Sequence, residues 1–553
     1  MTQQIKSVGV IGLGTMGAGI VEVFVKAGIP VVAVDGTKEL AQRGKGFLTG
    51  SLDRQIKRGK LDEAGRDEIV SRATFSDRLS DLADVDLVIE AVPERLEIKT
   101  SIFTELDGIV RPDAVLATNT SSLSITQIAA ATEHPERVIG MHFFNPAPVL
   151  ALVEVITTIL VDQKLVEAVR DLAVTLGKKP VVVGDRAGFV ANALLITYLA
   201  RAIRTYETGH VRREDLDDAA RIGIGFPMGP LTLSDLIGLD VVKEVCDVLY
   251  DATKEPSAAP PALLQQMVAA GRLGRKTGHG FYQYEKAGSG AVVDAPEPVS
   301  APKGASQVAV IGEGAVADEL VRVLDEGGVQ ALAYGSSSDE LPESVDLAFL
   351  VGSGLTDCAC GPEGCADGEC ESHEEGAAWF GDLVEGLSEG TVVAVLDEDA
   401  EFHAAGSIAQ DVRPVVVRLH AATKAGQVVE IGRSGEQSAV DLVHGTLAAA
   451  GLRTMVARDR AGLVVDALLL PHLNDAVKMV DSGYASVADV DTAMTAGCGY
   501  PQGPFAYIDQ MGADAVLLGL LRMYDETREP GLSPSPLFDE QMMSGRDFTD
   551  TSA

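Results

Sequence analysis

The chain has 553 residues with 46% hydrophobic and 23% charged side chains, too long for one core and too evenly mixed for a membrane protein or a disordered chain. The formal net charge of -36 repels phosphate backbones and anionic lipid, so nucleic acid and membrane surfaces are excluded as partners. Most of that charge lies in residues 287–553, which hold 13 Lys and Arg against 44 Asp and Glu, whereas residues 1–286 hold 32 against 37. A phosphate-rich ligand therefore belongs to the first half. No targeting pattern precedes the first strand, so a cytoplasmic location is expected.

Residues 5–11 read as a buried strand, and Gly12, Gly14 and Gly17 then set a G-x-G-x-x-G turn, with Thr15 and Met16 inside it, before a helix over 18–27. A second strand, 31–34, ends in Asp35, close to the spacing expected for an acid that accepts ribose hydroxyls. Strand, turn, helix and acid together predict a dinucleotide site, with Asp35 favouring NAD over NADP because a carboxylate repels a 2′-phosphate. Further strands are predicted at 86–92, 114–118, 138–143 and 149–156, as in a doubly wound sheet. From 187 to about 250 the pattern turns helical, broken at 223–230. Residues 287–304 are rich in Pro, Gly, Ser and Ala and read as a linker.

Beyond the linker the pattern starts again. Gly312-Glu-Gly314-Ala-Val-Ala317 repeats the turn at Gly12–Gly17, and Asp459-Arg-Ala-Gly462 repeats Asp185-Arg-Ala-Gly188. Gly499-Tyr-Pro501-Gln-Gly503-Pro504 falls 274 positions after Gly225-Phe-Pro227-Met-Gly229-Pro230. The second copy lacks the third glycine, has Tyr334 in the place of Asp35, and has Asp466 where the first has Asn192. The fold class read here is an α/β Rossmann-like doubly wound domain plus an all-α C-terminal domain, the pair duplicated in tandem. The boundaries are 1–184 and 185–286 for the first copy, 287–304 for the linker, 305–457 and 458–537 for a degenerate second copy, and 538–553 for a tail.

At the end of a predicted strand stands His142, followed by Phe143-Phe144-Asn145-Pro146, with Glu154 twelve residues on in the next strand. An imidazole there suits the removal of a hydroxyl proton as hydride leaves carbon, and a carboxylate on its other nitrogen would fix the tautomer. From spacing alone, the commoner arrangement is a histidine buried for packing, with Glu154 on a solvated face. Cys358, Cys360, Cys365, Cys370 and His373 form an acidic, glycine-rich cluster whose spacing fits no common zinc knuckle. The expectation is a loop of reduced thiols with no metal.

Gly12–Gly17, Asn119-Thr120-Ser121-Ser122-Leu123, His142–Pro146, Gly225–Pro230 and Gly274–Tyr284 together resemble the 3-hydroxyacyl-CoA dehydrogenase family over residues 1–286. The resemblance implies reversible NAD-dependent oxidation of a 3-hydroxyacyl-CoA, such as 3-hydroxybutyryl-CoA, to the 3-ketoacyl-CoA. It implies His142 as base, Glu154 as its partner, and Ser121 and Asn192 as hydrogen-bonding groups at the substrate oxygen. It further implies that Asp35 holds the adenosine ribose, that Glu94, Lys99 and Asn119 lie beside the cofactor, and that Ser51, Arg58 and Asn145 contact the acyl-CoA. Ala151, Ala187 and Ala193 depart from the family pattern, which puts the acyl preference in question more than the activity. His420 and Glu430 echo His142 and Glu154 at a spacing of ten, and read as vestigial. Because members dimerise through the helical domain, the chain is expected as a homodimer or as an intramolecular pseudo-dimer. The competing functions are a 3-hydroxyacid dehydrogenase acting on free acids and a non-catalytic dinucleotide-binding sensor or scaffold.

Overall fold

The computed structural model describes residues 5–295, 301–335, 344–351, 386–396, 414–433 and 435–550. The cysteine cluster and His373 lie outside them. The first sheet has eight strands: β1 Val8–Ile11, β2 Val31–Val34, β3 Ala73–Ser76, β4 Leu87–Glu90, β5 Val115–Thr118, β6 Val138–Phe143, β7 Leu152–Thr157 and β8 Lys179–Gly184. Their order is β3-β2-β1-β4-β5-β6-β7-β8, parallel except where β6 meets β7. The central strands β1, β4 and β5 are buried at every position, the unbroken apolar run of a sheet covered on both faces. The first helix starts at Thr15, three residues before the sequence pattern places it, because its N-terminus grows directly out of the glycine turn.

The second sheet comprises β9 Gln307–Ile311, β10 Gln330–Tyr334, β11 Leu347–Val351, β12 Val392–Leu396, β13 Val415–Leu419, β14 Val428–Gly432 and β15 Arg453–Ala457. Its order, β10-β9-β11-β12-β13-β14-β15, reproduces the first from β2 to β8, including the single antiparallel pair, here β13 with β14. The helical units repeat as closely. Helix Ala191–Glu207 corresponds to Val465–Asp481, and the left-handed backbone at Phe189 (φ 49) recurs 274 residues later at Leu463 (φ 41).

Two stretches differ from the sequence reading. Residues 538–550 are not a tail: helix Leu537–Ser544 packs into the second helical unit, and the amides of Phe548 and Thr549 donate to Asp509. Phe281 and Tyr282 donate to Asp235 in the same way. The start of the expected linker is tied down too, since Arg213 pairs with Asp294 at 2.7 Å and Tyr284 bridges Val292. Composition alone hides such closures, because the acceptor lies some 40 or more residues away.

The two helical units meet about a pseudo-twofold axis on which residues 274 apart face one another. Phe226 stacks on Tyr500 with ring centroids 4.0 Å apart, Tyr198 lies 5.3 Å from His472, and Arg201 pairs with Asp475 at 3.2 Å. Each unit also covers the opposite sheet: helix Val487–Cys498 packs on β7 and β8, while Asp215 and Asp218 hold Arg453 at the start of β15. Removing one partner of a buried ion pair strands the other charge. Asp475→Ala is therefore expected to lower the stability of the full chain by about 3 kcal/mol in urea unfolding; an unchanged midpoint would show that the pair holds nothing together.

Candidate active site

The glycine turn between β1 and the first helix uses its three glycines for three reasons. Gly12 has φ +83, and a Cβ there would lie 2.7 Å from the carbonyl oxygen of Ala91. A Cβ on Gly17 would fall 1.8 Å from the carbonyl oxygen of Gly12, so only glycine lets helix and strand close. A Cβ on Gly14 meets no atom within 4 Å, which leaves its backbone open to a ligand at the helix N-terminus, beside Thr15 and Met16. Asp35, at the end of β2, accepts the amides of Leu13 (2.8 Å) and Gly36 (2.7 Å) and so stands against this turn.

The ends of β4 and β5 carry a second network. Lys99 is buried and pairs with Glu90 at 2.8 Å and Glu94 at 3.2 Å. Glu94 in turn accepts the hydroxyl of Thr120 and the amides of Ser121 (2.8 Å) and Ser122 (3.1 Å), so one carboxylate shapes the segment carrying Ser121. Burial pushes the Glu94 carboxyl up, but Lys99 and the hydrogen bonds from Thr120 and Ser121 outweigh it and hold the group below its ordinary value. Asn119 ties β5 to β6 by accepting the amide of Phe143 at 2.8 Å.

His142 on β6 lies directly opposite Glu154 on β7 in the antiparallel register, and its Nδ1 is 2.7 Å from Glu154 Oε2. Glu154 is fully buried, and its other oxygen accepts the amides of Val190 and Ala191, both at 3.0 Å, at the start of helix Ala191–Glu207. A carboxylate that accepts from Nδ1 leaves the proton there and a lone pair on Nε2. Phe144 and Phe189 pack against the imidazole at 4.5 and 5.6 Å. Asn192, one residue beyond Ala191, is partly exposed on the first turn of the same helix.

The structure does not draw every candidate into this group. Ser51 and Arg58 lie seven residues apart, on one face at the C-terminal end of helix Lys38–Lys57, with Arg58 exposed. Asn145 is exposed and precedes a cis peptide bond to Pro146. Sequence reasoning missed Glu90, Thr120 and Ser122, although a carboxylate ending an apolar strand nine residues before a lysine was a usable signal for the first.

The second copy is rebuilt at the corresponding place. In the β13–β14 register it is Arg418, not His420, that stands opposite Glu430, and its guanidinium pairs with Asp466 at 2.7 Å. His420 reaches Glu430 at 2.6 Å from two residues further along. The echo in the sequence is thus a contact without the equivalent position, because a spacing of ten across an antiparallel turn shifts the register. Glu430 still accepts the amides of Val464 and Val465, as Glu154 does for the first copy. The turn there is wound differently, with Gly312 at φ +139 and Gly314 at φ +106, and the methyl of Ala317 is buried in it.

Comparison with known proteins matches residues 7–186 to the 3-hydroxyacyl-CoA dehydrogenase NAD binding domain, and residues 188–284 and 462–551 to the C-terminal domain of the same family. The chain belongs to the 3-hydroxyacyl-CoA dehydrogenase family. It is 48% identical over 286 residues to the 3-hydroxybutyryl-CoA dehydrogenase of Mycobacterium tuberculosis, a match spanning 51% of this chain and all of that protein. It is 43% identical over 290 residues to the human mitochondrial hydroxyacyl-coenzyme A dehydrogenase, covering 51% of this chain and 92% of the relative. The crystal structure of 3-hydroxybutyryl-CoA dehydrogenase from Escherichia coli K12 matches with a TM-score of 0.74 at 30% identity, over 98% of this chain and 100% of that one.

This dehydrogenase is therefore an NAD-dependent oxidoreductase built on a Rossmann-type domain and a helical domain. The first copy fits the cofactor on its own geometry: an open backbone at Gly14, a helix N-terminus behind it, and a carboxylate at the end of β2. Among the described residues no helix is long and apolar enough to cross a membrane.

Two outcomes test this site. Gly17→Ala forces a methyl onto the carbonyl of Gly12 and is expected to weaken NADH binding at least tenfold in a fluorescence titration, with unfolding still cooperative. Because the Glu94 carboxyl is lowered, the ionised form is the one the fold favours. Its hold is complete above 4.5, its ordinary value, and is lost as pH falls below that. Exchange protection of the Ser121 and Ser122 amides should decline as pH falls below that value, and protection that stays unchanged down to the acid unfolding of the chain would contradict the assignment.

Proposed function

We propose that the first copy alone oxidises a 3-hydroxyacyl-CoA, such as 3-hydroxybutyryl-CoA, to the 3-ketoacyl-CoA, with His142 as general base. The observation that carries this reading is the His142–Glu154 pair at 2.7 Å, beside a glycine turn open at Gly14. Nε2 takes the proton of the 3-hydroxyl as the C3–H bond breaks and C3–O becomes a carbonyl. Bound NAD supplies the acceptor for the hydride that leaves C3. Glu154, fixed by two backbone amides, stabilises the imidazolium that results and returns no proton itself. The Ser121 hydroxyl and the Asn192 amide donate to the substrate oxygen, and Glu94 with Lys99 keeps the Ser121 segment in place beside the cofactor. Asn119 and Asp35 flank the cofactor, while Ser51, Arg58 and Asn145 offer polar groups to the acyl-CoA.

The second copy has no part in the chemistry, since Arg418 and Asp466 occupy the positions of His142 and Asn192 and are spent on one another. Its helical unit serves instead as a built-in partner for the first, so the chain is a pseudo-dimer in itself. The opposite charges at Arg201 and Asp475 support this, because a dimer of two first copies would set Arg201 against Arg201.

With purified protein, acetoacetyl-CoA and NADH, His142→Ala should lose about 10²- to 10⁴-fold in kcat, while His420→Ala and Arg418→Ala retain turnover. Full activity in His142→Ala would remove the base from this position. Light scattering should report a monomer, and a tight dimer joined through both first-copy helical units would contradict the pseudo-dimer.

A further inference from the structure

A cavity of about 1090 Å³ runs between the first helical unit and the second, and it begins beside the reacting group. Ser122 and Phe189 line its near end, and the Phe189 ring lies 5.6 Å from that of His142. Ala187 and Ala193 line it with nothing larger than a methyl group. Its opposite side comes from the second copy: Lys478 and Met479, at the end of helix Val465–Asp481, and Tyr484 just beyond.

This far wall is anchored to the first copy and to itself. The Tyr484 hydroxyl donates to the carbonyl of Gly184 at 2.9 Å, and the Arg186 guanidinium lies over its ring at 4.4 Å. Lys478 Nζ donates to the carbonyl of Gly531 at 3.1 Å. The shape is therefore set before substrate arrives, as ligand pockets usually are. A volume just above the roughly 300–1,000 Å³ of small-molecule sites exceeds what a four-carbon acyl group fills.

We propose that this cavity receives the acyl chain and that the second copy sets its length preference, with Met479 as a specificity-determining residue. The inference rests on the reading of the first copy as a 3-hydroxyacyl-CoA dehydrogenase. A chain leaving the carbon held at His142 passes Phe189 and Ser122, crosses the space that Ala187 and Ala193 leave open, and ends against Met479. Acyl chains well beyond four carbons then bury methylenes that acetoacetyl-CoA does not have, each worth about fourfold in kcat/KM when fully buried.

The experiment compares kcat/KM for acetoacetyl-CoA, 3-ketooctanoyl-CoA and 3-ketodecanoyl-CoA, with NADH, in the full-length protein. The wild type should favour the decanoyl substrate at least tenfold over acetoacetyl-CoA. Met479→Trp should cut that ratio at least tenfold, Met479→Ala should move the optimum to longer chains, and Met543→Trp, on an exposed face of helix Leu537–Ser544, should leave the profile as it is. A wild type without preference for the longer chains, or a profile equal in all the Met479 variants, overturns the proposal while acetoacetyl-CoA turnover persists. Absence of acetoacetyl-CoA and long-chain turnover alike in the wild type overturns the underlying reading instead.

Discussion

One buried carboxylate joins the parts of the first copy. Glu154 lies on β7 with no exposure to solvent, and it uses one oxygen for the imidazole of His142 and the other for two amides at the start of helix Ala191–Glu207. Burying a charge is costly unless it is fully hydrogen-bonded, and these donors, with the positive end of the helix dipole, meet that condition. The sheet, the helical unit and the His142 imidazole therefore share a single anchor. The second copy keeps the anchor but changes what stands opposite it, with His420 reaching Glu430 from two residues further along. Glu430 keeps the amides of Val464 and Val465 although Arg418 has replaced the histidine opposite it. The carboxylate is present in both copies, and in both it joins the sheet to the helix.

Duplication in one chain changes what an interface can be. On a true twofold axis a residue meets its own copy, so a charge there meets an equal charge. Here positions 201 and 475 meet as Arg and Asp, and positions 198 and 472 as Tyr and His. The halves have become complementary rather than identical. Each helical unit also seals the sheet of the other copy, as Gly497 against Leu152 and Gly223 against Val465 and Val428 illustrate. At Gly497 a Cβ would lie 2.5 Å from the Leu152 side chain, so glycine there sets the depth of the contact.

Much of this was legible in the sequence wherever the cause is local. The glycine turn, Asp35 and the apolar strands are each specified within a few residues, and the 274-residue offset exposes the second helical unit in the sequence itself. The pairing of His142 with Glu154 was legible as a candidate, though spacing could not tell it from packing; the register on β6 and β7 put the two opposite one another. What stayed hidden depends on partners distant in the chain. His420 looked like a counterpart of His142, because strand register cannot be read from a spacing across a turn. Residues 538–550 looked like a tail because Asp509, which closes on Phe548 and Thr549, is some 40 residues earlier. The wall formed by Met479 and Tyr484 lies some 340 residues from the histidine, beyond any local pattern.

The charge imbalance follows the same division. A site for a pyrophosphate and an acyl-CoA cannot tolerate a strong negative field, and the first 286 residues stay within five charges of neutrality. The second copy carries an excess of 31 negative charges. Its turn is wound differently, with Gly314 at φ +106 and the methyl of Ala317 buried at the position of Gly17. Once a Rossmann-like domain is released from binding an anion, acidic substitution meets no electrostatic penalty at the site. What still constrains it is packing: Glu430 beneath its helix and Asp509 against the closing segment hold the second copy together, and Asp475 against Arg201 joins it to the first.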